Sequence, residues 1–270
     1  MGLAESLPER YIRAEIRRKG NESDMLSADA ARVLAICVLV AAAAAPAVWV
    51  VIQFRRTPYT RMQTVLYAVN YLMVRVLWRA KINGRWPLPP GQGAVIICNH
   101  RGPMDPSLSV IVADRLVHWM VAREYVENLA FGWFLKACNV IPVNRRGTDT
   151  AATKLAIRCA QQGGLVALFP EGRINTTEKL LLPFRGGVTM IALKARVPVV
   201  PLYIEGSPYD GTPWGCLFMP SNVRLEVGQP IDLSPYYGCE GDRQVRKRLT
   251  ERFMSAIAEL AEPEPDPKPQ

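Results

Sequence analysis

The sequence predicts an α/β fold held behind an N-terminal apolar segment. Two observations carry this. From residue 83 onward, short apolar runs alternate with stretches of helical periodicity, the pattern of strands and helices packed in layers. Near the N-terminus, 22 consecutive residues carry no charge. The chain has 270 residues, of which 49% are apolar and 21% charged. That is enough for a buried core, and it excludes a disordered chain, a collagen and a disulfide-stapled miniprotein.

Residues 1–32 form a segment of mixed charge. The uncharged stretch follows at 33–54, and as a helix it would reach about 33 Å, close to the roughly 30 Å of a bilayer core. Trp49 and the Arg55-Arg56 pair suit an interfacial end, and Pro46 predicts a kink that membrane helices tolerate. A signal peptide is the rival reading, but the stretch is long for one and begins after 32 residues of mixed charge. With basic residues on both sides, the charge pattern does not orient the span.

The next segment, 59–79, repeats Leu66, Val69, Met73, Val76 and Leu77 at helical spacing with Arg61, Arg75 and Arg79 interspersed. Two readings fit it: an amphipathic helix in the membrane interface, or a helix docked on the protein's own core. A domain then runs over 83–261. Strands are predicted at 94–98, 117–122, 165–169, 199–204 and 223–227, and helices at 106–116, 129–138, 149–161, 187–195 and 244–260. Thr148 is the expected N-cap of the third helix and Gly163 its stop. Residues 262–270 place proline at every second position and predict a disordered tail.

The net charge of +9 is uneven: +3 over residues 1–61, +7 over 62–160 and −1 over 161–270. No run of like charges resembles a nucleic-acid-binding arm, so the excess points to a membrane surface or an anionic substrate. The six cysteines form no C-x-x-C pair and predict free thiols in a reducing compartment. With two histidines, no metal site is expected. There is no Walker A loop and no G-x-S-x-G elbow.

Of the two histidines, His118 lies in a strand-like run and reads as structural. His100 lies in Asn99-His100-Arg101-Gly102-Pro103-Met104-Asp105-Pro106, where a strand ends and Gly-Pro demands a turn. On spacing alone two readings stand. Asp105 is the N-cap of a helix begun by Pro106, and the histidine is incidental. Alternatively, the turn folds Asp105 onto the imidazole, fixing its tautomer and making it a base for a hydroxyl.

Three further runs follow: Val140-Ile-Pro-Val-Asn-Arg145, Phe169-Pro-Glu-Gly-Arg173 and Val197-Pro-Val-Val-Pro201. With the His-x4-Asp run, they resemble in order and interval the four sequence blocks of the glycerolipid acyltransferases, over roughly residues 60–230. The resemblance implies a mixed sheet flanked by helices, of the glycerol-3-phosphate acyltransferase type, joined to N-terminal membrane helices. It implies that His100 is the general base, oriented by Asp105, and that Asn99, Arg145, Glu171, Gly172 and Arg173 bind substrate. Val197, Pro198 and Pro201 would lie beside the acyl chain.

The implied reaction moves a fatty acyl group from acyl-CoA or acyl-carrier protein, acting as co-substrate, to a lysophospholipid hydroxyl, with 1-acylglycerol 3-phosphate the first choice. Glycerol 3-phosphate, other lysophospholipids and an acylated amino acid are alternative acceptors. A non-catalytic membrane lipid-binding protein is the alternative of another class. No cofactor, metal or nucleic acid is implied. The site is expected on the cytoplasmic side of a membrane, where the thioester donors are. Two departures stand out. Arg173 follows Gly172 directly, so Ile174 occupies the family's usual arginine position. Asn139 and Asn144 replace a glycine and an acidic residue of the second block.

Overall fold

The computed structural model describes residues 17, 30–45, 48, 52, 59–113, 115–145, 149–212 and 215–262. The chain forms two units, Met1–Arg56 and Thr57–Gln270. In the first, residues 30–45 are helical, and Val33, Leu34, Ile36, Val38, Leu39 and Val40 are exposed. No helix among the described residues is long and apolar enough to cross a membrane. Most of segment 1–32, Pro46, Trp49 and tail residues 263–270 lie outside the described residues.

The second unit is a seven-stranded sheet: β1 (Lys81–Asn83), β2 (Ala94–Cys98), β3 (Val117–Ala122), β4 (Ile141–Val143), β5 (Leu165–Leu168), β6 (Val199–Glu205) and β7 (Arg224–Val227). Their spatial order is β1-β7-β6-β2-β5-β3-β4. All pairs are parallel except β6 with β7, so the sheet is mixed, as the α/β reading anticipates. Strands β1 and β4 escaped the sequence reading because three-residue strands leave no periodicity to count. Pro142 in β4 fits an edge strand, where one row of backbone groups has no partner.

Strand alternation divides the core between the two faces. Val95, Ile97, Val166 and Val199 pack with α5 (Thr150–Gln161), α6 (Gly187–Ala195) and α7 (Arg243–Ala261). In α5 the buried face is Ala152, Ala156 and Ala160, and at Gly93 a Cβ would lie 1.9 Å from the Ala160 carbonyl oxygen. Small side chains and a glycine thus bring helix and sheet into close contact. The helix begins at Thr150 with Asp149 as its cap, the Asp149 carboxylate accepting from Ala152 N at 2.9 Å; Thr148, the anticipated cap, lies outside the described residues.

On the other face, Ala94, Ile96, Cys98, Ala167 and Leu202 pack with Val74, Trp78 and Leu108. Residues 61–77 are a helix in this layer, α1 (Arg61–Leu72) continuing into a π-turn at Met73–Leu77. Its start is fixed by a capping box between Thr60 and Gln63. Gln63 Nε2 donates to Ala137 O at 2.9 Å and Asn70 Nδ2 to Ser107 O at 2.8 Å. The anticipated apolar stripe is split: Leu66, Met73 and Leu77 are half-buried, whereas Val69 and Val76 share an exposed row with Met62, Val65 and Leu72.

The remaining helices are α2 (Asp105–Val110), α3 (Arg123–Val126) and α4 (Gly132–Ala137). The sequence reading carries α2 to residue 116; the helix ends at Val110, and Val112 and Ala113 enter the core from the turn that follows. Largest in the α7 seam is Phe253, wholly buried beside Val245, Leu249 and Ile257. Phe253→Ala should lower the unfolding free energy by about 3–5 kcal/mol, read as a fall in the urea midpoint at unchanged m-value.

Candidate active site

The C-terminal ends of the parallel strands bring together most of the residues singled out above. Strand β2 delivers Asn99 and His100, β5 delivers Phe169 to Arg173, β3 delivers Arg123 and Glu124, and β4 delivers Arg145. This edge of an open α/β sheet is where such folds place ligands.

Asp105 is fully buried, and its side chain does not cap α2; the N-cap is Met104, which makes no side-chain bond. The carboxylate turns back over the loop instead. Oδ2 accepts from Arg101 N at 2.6 Å, from Gly102 N at 2.9 Å and from His100 Nδ1 at 2.9 Å. Gly102 permits this turn, because a Cβ there would stand 2.7 Å from Ser207 Oγ and 2.9 Å from Pro208 O. Since a carboxylate only accepts, Nδ1 carries the proton and Nε2 holds the free lone pair. The His100 side chain is 16% exposed. Its ring stacks on Phe169 at 3.8 Å and 4°, and Phe169 stacks in turn on Trp119 at 4.5 Å.

The loop is gripped from the third block as well. Glu171, almost completely buried, accepts from His100 N and from Leu182 N, each at 2.8 Å. Asn175 N donates to His100 O at 2.7 Å. Arg101 spends its guanidinium on the carbonyls of Asn175, Thr177, Lys179 and Leu180. Burial pushes the Glu171 carboxyl above its usual range, against the pull of these N–H groups and of His100 and Arg101. The neighbouring Cys98 thiol is pushed well up, first by burial and then by Asp105 and Glu171, so it stays protonated.

The other anticipated site residues take varied positions. Asn99 is fully buried; its amide pairs with Ile204, Nδ2 to O and Oδ1 from N, both at 2.8 Å, so it prolongs the β2–β6 pairing. Arg145 is held by Glu124, with Nε to Oε1 at 2.9 Å, and lies 5.8 Å over the Tyr125 ring. Gly172 has φ +70°, a backbone conformation that favours glycine. Arg173 is exposed. Val197 and Pro198 precede β6 at the opposite end of the strands: Val199 pairs beside Val95 and Pro201 beside Ile97, about 20 Å along the strand from the level of His100 for Val197. His118 Nδ1 donates to Asn139 O at 2.9 Å, in keeping with a structural role. No cluster of potential metal ligands occurs among the described residues.

Sequence reasoning missed the brace by Glu171, the Phe169–Trp119 stack and the spent guanidinium of Arg101. Only the third had a signal, an arginine beside the histidine.

Comparison with known proteins gives a consistent picture. Residues 79–205 match the family described as Acyltransferase. The chain is 29% identical over 197 residues to the 1-acyl-sn-glycerol-3-phosphate acyltransferase of Bacillus subtilis, covering 72% of this chain and 95% of that protein. It is 25% identical over 207 residues to the enzyme of the same name from Streptococcus pneumoniae, covering 73% and 75%. The crystal structure of the 1-acyl-sn-glycerophosphate acyltransferase PlsC from Thermotoga maritima has the same fold. Its TM-score is 0.58 at 21% identity, over 84% of this chain and 94% of that one.

Glu171 generates a pH prediction. Its folded pKa is raised, so protonation of this group stabilises the fold at acid pH, and that contribution is lost as pH rises through the raised value. Glu171→Gln removes the titration. The difference in unfolding free energy, wild type minus variant, should therefore fall from acid to neutral pH in parallel denaturant titrations. A difference independent of pH would contradict the assignment.

Proposed function

The chain belongs to the glycerolipid acyltransferase family and is an O-acyltransferase, and from that premise we propose that it acylates a lysophospholipid, 1-acylglycerol 3-phosphate first, at a membrane surface. The observation that carries the reading is the His100 Nδ1 to Asp105 Oδ2 bond of 2.9 Å at the C-terminal edge of the sheet.

In the proposed reaction His100 Nε2 takes the proton of the acceptor hydroxyl as its oxygen attacks the thioester carbonyl of acyl-CoA or acyl-carrier protein. The new C–O bond forms, the C–S bond breaks, and the imidazolium returns the proton to the departing thiolate. Asp105 holds the ring and favours the imidazolium that forms. No acyl-enzyme is required, and the protonated, buried Cys98 thiol supplies no competing nucleophile. Arg173 and Arg145 stand at the edge where an anionic headgroup would lie, though Arg145 already has Glu124 as partner.

Attachment to the membrane is supported by the uncharged stretch 33–54, whose described residues 33–45 are helical with exposed apolar side chains. The exposed row Met62, Val65, Val69, Leu72 and Val76 on α1 gives a second apolar surface. We place the catalytic domain on the cytoplasmic side because the thioester donors are made there.

The test supplies membranes carrying the protein with labelled acyl-CoA or acyl-carrier protein and a panel of acceptors: lysophosphatidate, other lysophospholipids, glycerol 3-phosphate and an acylated amino acid. Products are read by mass spectrometry. Lysophosphatidate should be acylated fastest, and His100→Ala should lower the rate by about 10²–10⁴-fold. Equal rates for variant and wild type would rule out the base, and no transfer to any acceptor would favour a lipid-binding protein. Carbonate washing should leave the chain in the membrane pellet; its release would contradict attachment through 33–54.

A further inference from the structure

The third block has its arginine one position early, and Ile174 stands where the family's arginine is usual. Two other arginines of this edge are committed. Arg145 is paired with Glu124, and Arg101 is spent on four carbonyls. Arg185 differs from both. It lies outside all four blocks, in Pro183-Phe184-Arg185-Gly186, yet its backbone is tied to the third block by Arg185 N to Pro170 O at 2.8 Å. Its side chain lies across Gly172: a Cβ on that glycine would stand 2.7 Å from Arg185 Nε and 2.9 Å from Cζ. Among the described residues, the Arg185 guanidinium makes no hydrogen bond or ion pair, and the residue is exposed.

The position is rigid for physical reasons. Glu171, next to Gly172, holds His100 N and Leu182 N at 2.8 Å each, so the segment carrying Arg185 and the loop carrying the base share one buried carboxylate. The absence of a side chain at Gly172 is what lets a guanidinium lie flat against this turn. An unpaired guanidinium so placed can form paired charge-assisted bonds to a phosphate.

We propose that Arg185, packed across Gly172, is the residue that holds the phosphate of the lysophospholipid acceptor, in place of the arginine that the third block lacks at its usual position. The assignment rests on the acyltransfer reading above. It distinguishes Arg185, whose guanidinium lies over Gly172, from the exposed Arg173, and it assigns the bound phosphate to the acceptor rather than to coenzyme A.

The test compares wild type, Arg185→Gln, Arg185→Lys and Arg173→Gln in steady-state acylation, varying lysophosphatidate at fixed acyl-CoA and then the reverse. Arg185→Gln should raise the KM for lysophosphatidate by about 10- to 100-fold, the loss of a charged hydrogen-bonding partner. The KM for acyl-CoA and the thermal unfolding midpoint should not move. Arg185→Lys should fall between, keeping charge without the planar fork. An unchanged lysophosphatidate KM in Arg185→Gln, a rise confined to acyl-CoA, or a larger effect in Arg173→Gln than in Arg185→Gln would overturn the assignment and leave the acyltransfer reading intact. A wild type that acylates no lysophospholipid would overturn both.

Discussion

One buried carboxylate organises the site. Asp105 lies in the interior and gathers two backbone N–H groups and the His100 ring onto a single oxygen, Oδ2. Those bonds close the loop between β2 and α2 into a fixed turn and leave one imidazole nitrogen facing outward. Such burial is costly unless the charge is hydrogen-bonded; three donors serve Oδ2, while Oδ1 is buried without a hydrogen-bond partner among the described residues. A second buried carboxylate, Glu171, clamps the same loop from β5. The base is therefore held by its ring through Asp105, by its backbone N–H through Glu171, by its carbonyl through Asn175, and by its face through Phe169.

The sheet explains why these groups meet. Parallel pairing of β2 with β5 and of β3 with β4 sends each strand's successor loop to the same edge, so residues as distant as His100 and Glu171 become hydrogen-bonding neighbours. Asn99 carries the pairing one step past β2 through its amide to Ile204, which supports the histidine at the rim. Gly93 and the alanine face of α5 do the same for packing, since only small groups fit where helix and strands approach.

Much of this was legible in the sequence, and the exceptions have physical causes. Apolar runs such as 94–98, 117–122 and 187–195 declared their elements to the residue; the first is buried throughout, and the other two place their apolar residues on the buried side. The three-residue strands β1 and β4 are too short to show a pattern. Asp105 before Pro106 reads locally as a helix cap; it is drawn elsewhere by Arg101 N and Gly102 N, a competition that spacing cannot express. The brace by Glu171 joins positions 71 residues apart and leaves no local mark. Helix α1 had two readings because its two faces do different things: Gln63, Asn70 and Val74 tie it to the domain, while Val69 and Val76 stay outside.

The central claim is that His100 and Asp105 act as one unit in proton transfer. A double-mutant cycle tests it most directly, with kcat/KM for lysophosphatidate acylation measured for wild type, His100→Ala, Asp105→Asn and the double variant. Residues acting as a unit are grossly non-additive, so the double variant should be no slower than His100→Ala alone. Losses that multiply would show that Asp105 shapes the loop without assisting the base, and would contradict the account.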